Sequence, residues 1–283
     1  MISFKKNESF YIREGWISKA INAIYDNPKT NIFSKNSGVM YLGIGSNMVK
    51  GLKYWLSAAN IISGKENKLS SFGNLLQKYD QYLEQSFSWF LIHYNLVKNY
   101  KECPIFNIVF TDDQKSFDKD SMEEYISNFL KEKENCSTIS AKYIEADFNI
   151  FIHSYYSEDR QTNPEDNYIC PLADLRLLKK ERDKYTKTSP SFTLLSPLIV
   201  FYSLENLYPN QDSFLIEDAM SMKESPCKLF CLEKMKFLQY LDSLQSLGLI
   251  RINKTAGLNA VYFNKRLKLN DVFELERKLF GHV

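Results

Sequence analysis

Apolar side chains recur at three- and four-residue spacing along much of this chain, and glycine or proline rarely interrupts them. Only 10 Gly and 8 Pro occur in 283 residues. Both residue types end helices or set tight turns, so their scarcity argues for many helices and few long loops. Large apolar residues are plentiful: 20 Phe and 18 Tyr help bring aromatics to 14% and hydrophobics to 44% of the chain. That supplies a core and excludes a largely disordered chain.

At the start, Phe10, Trp16, Ile17, Ala20, Ile21 and Ile24 mark one helix face, which Asp26-Asn27-Pro28 ends. Val39-Met40-Tyr41-Leu42 is a second short apolar run, closed by Gly43-Ile44-Gly45. Ser46 is placed to cap the next helix, because its hydroxyl can accept an orphan amide of the first turn. That helix runs from Asn47 to about Asn60. Met48, Leu52, Trp55, Leu56 and Ala59 share one side, with Lys50, Lys53 and Tyr54 largely on the other. Ile61-Ile62-Ser63 and Lys68-Leu69-Ser70 then read as two short strands around a polar turn. Helix, glycine turn, helix and small hairpin is the layout of a winged helix-turn-helix.

The middle is helical and aromatic from Phe72 to about Tyr100, the pattern of a buried helix pair. Residues 120–133 form another amphipathic helix, with Ser121 and Glu124 as a capping box. The stretch 134–190 mixes charges with Asn163-Pro164 and Ser/Thr, and is expected to hold the longest loops. The end repeats the opening order. A helix runs from Pro197 to Leu207, Ser213 caps a second through Met222, and a third runs from Cys231 to Leu247. Gly248 is placed to end that third helix in a left-handed conformation. Strands at 249–252 and 260–263 flank an Asn253–Gly257 loop. The expected fold class is therefore mainly α, with winged helix-turn-helix units at both ends, an α-helical middle and short β-hairpins. Domains are expected at 1–70, 71–190 and 191–283, and a central sheet of five or more long strands would contradict this.

Net charge is +2, so no global basic field points to a polyanion. The distribution is uneven: residues 1–62 carry a net of +5, residues 63–190 a net of −4, and residues 191–283 a net of +1. A basic first segment is compatible with one face meeting phosphate. The expected DNA contacts are Ser46, Asn47, Lys50, Lys53 and Tyr54 on the helix, Lys65 and Lys68 on the first hairpin, and Arg251 and Lys254 on the last. Lysines and small polar donors near a helix N-terminus suit phosphate, because the backbone amides and the helix dipole attract anions there. A solvated helix face with two lysines is the plainer alternative.

Other chemistries find little support. Gly43-Ile44-Gly45 lacks the third glycine of a dinucleotide loop and the Gly-Lys-Ser/Thr ending of a P-loop. Cys227 and Cys231 have no second pair at a zinc-finger spacing, and no histidine lies near them in sequence. His93 falls in the aromatic helix, where a core role is expected. No catalytic constellation, metal site or cofactor is expected. No apolar run approaches the roughly 18 residues of a membrane span. The amino-terminal residues lack the apolar core of a signal peptide, so a cytoplasmic protein with free thiols is expected.

Four stretches carry a family resemblance. They are Asn7–Ile17, Leu42–Leu56 with its LGIGSNMVKGLKYWL run, Tyr168–Leu172 around Cys170-Pro171-Leu172, and Lys254–Tyr262 around Thr255-Ala256-Gly257-Leu258. Together they resemble the bacterial family called domain of unknown function 4007. Asn7 stands where that family usually has His, and Ser46 where it usually has Lys, which removes one phosphate contact. The resemblance implies a place in phosphorothioation-type or BREX-like phage-defence clusters, beside sulfurtransferase-like and ATPase partner proteins. The leading expectation is non-enzymatic binding of double-stranded DNA within such a system. The alternatives are a protein–protein adaptor docking through its Phe/Tyr-rich middle, and a transcription regulator.

Overall fold

The computed structural model describes all residues except 1, 3, 65–67, 135–138, 158–168, 256–257 and 282–283, and at 35–36, 134, 254–255 and 258 it describes the backbone alone. The chain divides into two compact units. Unit 1 holds Met1–Val109 and Gln114–Lys187; unit 2 holds Phe110–Asp113 and Thr188–Val283. Residues 1–70 thus share one unit with most of 71–187, and the second break falls at Lys187 rather than at 190.

Unit 1 opens with α1 (Trp16–Asp26), α2 (Lys35–Leu42) and α3 (Ser46–Ala58), followed by the antiparallel pair β1 (Ile62–Ser63) and β2 (Lys68–Leu69). The buried face of α1 is Trp16, Ile17, Ala20, Ile21 and Ile24, as the periodicity requires; Phe10 lies ahead of the helix. Gly43 ends α2 with φ 65°, a left-handed conformation that glycine adopts without steric cost, and its amide reaches Val39 O at 2.9 Å. Gly43–Gly45 is then a three-residue step into α3.

The rest of unit 1 comprises α4 (Ser71–Tyr79), α5 (Ser86–Lys98), α6 (Pro104–Thr111), β3 (Ser116–Phe117), α7 (Lys119–Glu134), α8 (Ala141–Tyr155), a 3-10 turn at Pro171–Leu175, β4 (Leu178–Glu181) and β5 (Lys184–Lys187). The last residues of α6, Phe110 and Thr111, are grouped with unit 2. Helix α5 is buried on nearly every side, including Phe87, Trp89, Phe90 and Tyr94. An aromatic file crosses the core of unit 1: Trp55, Phe106, Phe151, Phe148, Phe117 and Tyr185 contact in sequence, with ring centroids 5.4 to 6.3 Å apart. The aromatic middle is therefore core, where each ring removes a large apolar area from water.

One expectation for this region is corrected. Helix α7 begins at Lys119, so Ser121 lies inside it; Asp118 accepts the Ser121 amide at 2.9 Å and does the capping. That bond holds the Asp118 carboxyl below its ordinary value. The described part of 134–190 also holds regular structure: α8, and the strands β4 and β5, which join β3 in a three-stranded sheet of order β3-β5-β4.

Unit 2 contains α9 (Pro197–Leu207), β6 (Ser213–Leu215), α10 (Ile216–Ser221), α11 (Pro226–Leu229), α12 (Lys234–Ser246), β7 (Ile250–Thr255), β8 (Leu258–Phe263) and α13 (Leu269–Phe280). Ser196 caps α9 by accepting the Leu198 amide at 3.2 Å, and Pro197 follows at the first helical position, where its missing N–H costs nothing. Ser213 starts a strand rather than capping a helix, because Ser213, Phe214 and Leu215 pair with Tyr262, Val261 and Ala260 of β8. The sheet order is β6-β8-β7, all antiparallel. The third helix begins at Lys234 rather than Cys231, whose φ of 54° is left-handed and cannot continue α11. Gly248 follows α12 with φ 70°, as its position predicts.

The chain is mainly helical, and among the described residues its sheets have two or three strands. Among those residues no helix is long and apolar enough to cross a membrane.

Candidate nucleic-acid interface

The inward side of α3 is fixed by three contacts. Trp55 is 1% exposed; its indole N–H donates to Phe10 O at 2.8 Å, and its ring lies 5.6 Å from Phe106. At Gly51 the backbone of the first segment passes so close that a Cβ would stand 2.7 Å from Asn7 O. That segment is in turn fastened to α8. The Lys5 amide and the Asn7 side-chain amide donate to the two carboxylate oxygens of Asp147 at 3.0 and 2.9 Å. Burial pushes the Asp147 carboxyl up, and these two donors pull it down. Asn7, one of the departures from the family pattern, is a buried structural residue here.

With that side anchored, α3 turns Ser46, Asn47, Lys50 and Lys53 to solvent. Helical spacing brings these four along one edge. Ser46 is the first residue of the helix rather than its cap; Gly45 holds the cap position, with no side-chain cap bond. The Lys50 ammonium lies 3.4 Å from Asn47 Oδ1. Tyr54 leaves the edge: its hydroxyl turns inward and donates to Glu102 O at 2.5 Å, with Cys103 Sγ 3.4 Å away. Burial, with Cys103 beside it, holds that phenol well above its ordinary range. A two-sided reading of helix spacing missed this because Tyr54 sits at the border of the two faces and is long enough to fold under.

Lys68 is exposed on β2; its expected companion Lys65 lies outside the described residues. Arg251 is exposed on β7, its guanidinium 5.0 Å from the Tyr262 ring, and Lys254 continues that strand with only its backbone described. These two belong to unit 2, whereas the α3 edge and Lys68 belong to unit 1.

One cation at the α3 edge was not anticipated. Lys19, from α1, donates to Leu42 O at 3.1 Å and so stands at the step between α2 and α3. A sequence signal was available for the field if not for the contact: no Asp or Glu occurs between Asp26 and Glu66, while Lys29, Lys35, Lys50, Lys53 and Lys65 do. The surface carrying α2 and α3 is thus built from a stretch without carboxylates.

His93 is fully buried, with Nδ1 2.7 Å from the Tyr155 hydroxyl. Burial raises the Cys103, Cys170 and Cys227 thiols to about 12, which keeps them protonated and poor ligands at neutral pH.

The family model described as protein of unknown function (DUF4007) matches residues 4–277. The chain belongs to this family. Two solved structures share the DUF4007 chain's fold. The magnesium ion-bound SspB crystal structure superimposes with a TM-score of 0.81 at 20% identity, covering 99% of this chain and 87% of that one. The SspB crystal structure gives 0.78 at the same identity and coverage. No curated protein matches the chain. Among the described residues no three His, Cys, Asp or Glu side chains gather to hold a metal ion, and both oxygens of the buried Asp147 are already bonded.

Proposed function

We propose that this DUF4007 member is a non-enzymatic, double-stranded-DNA-binding component of a bacterial DNA-modification or phage-defence system. The observation that carries the reading is the exposed edge of α3, where Lys50 and Lys53 stand in a stretch free of carboxylates and Lys19 joins them at the helix start. Element order supports a winged helix-turn-helix reading of each end: α1, α2, α3 and β1–β2 in unit 1, and α9, β6, α10 to α12 and β7–β8 in unit 2. In this reading α3 meets the duplex, its lysines contact phosphates, and Lys68 on the hairpin extends the contact. Phosphate contacts position a protein without reading sequence, so binding of this kind is broad and salt-dependent. The defence context rests on the family resemblance.

A titration of phosphorothioated and unmodified duplexes over a salt series tests the proposal. It expects binding to both, weakening linearly on a log–log plot; failure to bind either at about 50 mM salt rejects it.

Unit 2 favours the adaptor reading for itself. Three of its lysines are engaged: Lys228 with Asp113 at 2.9 Å, Lys234 with Glu217 at 3.4 Å, and Lys236 on the carbonyls of Ser189 and Pro190 at 2.9 and 2.8 Å. Met235, on α12, is 69% exposed. The docking surface would then be this face rather than the aromatic middle, whose rings are largely core, with Tyr82 and Tyr143 exposed.

A further inference from the structure

The β4–β5 hairpin is the most cationic short stretch of the chain, and it stands inside its most acidic region. Residues 176–187 contain Arg176, Lys179, Lys180, Arg182, Lys184 and Lys187 against Glu181 and Asp183, within a segment whose net charge is −4. Pairing register sorts these residues, because partners across an antiparallel ladder share a face and successive residues alternate. Phe117, Tyr185 and Lys180 fall on one face. That face is bound to the core: Phe117 packs on Phe148, and the Lys180 ammonium sits 5.7 Å from the Tyr185 ring and 5.9 Å from that of Tyr156.

The other face carries Ser116, Thr186, Lys179, Glu181 and Lys184. Ser116 and Thr186 share a hydroxyl hydrogen bond of 2.8 Å, and Lys179 stands directly across from Thr186. Lys184 is diagonal to Lys179, about 7–8 Å away along the ladder. Arg182 forms the tip, exposed and held at φ 56°. Hydroxyls flanked by two lysines, with an arginine at the tip, form a donor set for backbone phosphates.

We infer that the outer face of the β4–β5 hairpin is a second phosphate-binding element, gripping the same duplex DNA as α3. The inference rests on the DNA-binding reading above. Reach supports it. The aromatic file from Trp55 of α3 to Tyr185 of β5 has five steps of at most 6.3 Å, so those rings lie within about 32 Å of each other. One duplex turn measures about 34 Å, so a short duplex is long enough to reach both elements. Glu181 opposes the contact, since it lies on the same face and pairs with Lys179.

The test uses the full chain, a duplex of about three helical turns, and anisotropy titrations over a salt series. A Lys179→Ala/Arg182→Ala/Lys184→Ala variant should bind at least about tenfold more weakly, with the log–log slope flatter by about two to three units. Glu181→Gln should act oppositely and tighten binding about twofold to threefold. If both variants match the wild type, the hairpin inference is overturned. If the triple variant loses affinity while Lys50→Ala/Lys53→Ala does not, the hairpin stands and the α3 reading falls. The reverse result removes the hairpin and leaves α3.

Discussion

Trp55 lies on the inward side of the helix proposed to meet DNA, so its removal should damage folding and spare the charge pattern. Truncating a buried Trp to Ala costs about 3–5 kcal/mol, the spread depending on how far the site collapses. Here the stranded Phe10 carbonyl adds about 1 kcal/mol. Collapse is restrained, because the ring touches Phe106, which is itself wedged against Phe151 and Tyr155. Trp55→Ala should therefore fall near the upper end of the range. Trp55→Phe keeps most of the packing and loses the indole bond, for about 1–2 kcal/mol. With a urea m-value of about 2–3 kcal/mol/M, the Ala variant lowers the unfolding midpoint by about 1.5 M. Tryptophan fluorescence reports unit 1 alone, since Trp16, Trp55 and Trp89 all lie in it and two remain after the substitution. A midpoint lowered by less than about 0.4 M at unchanged m would refute the packing argument.

Three further outcomes follow from particular contacts. Gly51→Ala drives a methyl against the Asn7 carbonyl and should lower the urea midpoint of unit 1 by the equivalent of about 1–3 kcal/mol. Tyr54→Phe strands the Glu102 carbonyl and should cost about 1 kcal/mol of stability while leaving duplex affinity unchanged; a loss of affinity would return Tyr54 to the DNA-facing edge. In unit 2, burial pushes Glu205 and Glu276 up to about 7 from an ordinary 4.5. The folded state thus holds their protons more tightly than the unfolded chain. Their contribution to stability is complete below about pH 4.5 and is lost as pH rises through about 7. Calorimetry should show Glu276→Gln, which keeps an acceptor for Ser196 Oγ, with a smaller fall in Tm from about pH 5 to 8 than the wild type. An equal fall would show that Glu276 does not titrate in that window.

Much of the helical framework was legible because its signals are local. The α1 stripe, the Gly43–Gly45 step, the buried face of α3 and the Gly248 stop each depend on residues within a few positions of one another. What the sequence hid was set by distant partners. Ser213 becomes a strand only because β8, some fifty residues later, offers an edge. The β4–β5 turn lacks the usual signal, since Arg182 rather than Gly or Asn holds the left-handed position and the strands read as a charged loop. At the site, Lys50 and Lys53 followed from helical spacing. Tyr54 did not, because its hydroxyl partner Glu102 lies 48 residues away, and Lys19 did not, because its partner Leu42 is on another helix.

The central claim is that α3 contacts the phosphates of duplex DNA. A salt-dependent titration of the Lys50→Ala/Lys53→Ala variant tests it most directly. Each lysine that neutralises a phosphate releases condensed counterions and contributes about 0.9 to the slope of log affinity against log salt. The account predicts a folded variant that binds every duplex more weakly, with a slope flatter by about two units. Wild-type affinity and slope in a folded double variant would contradict it.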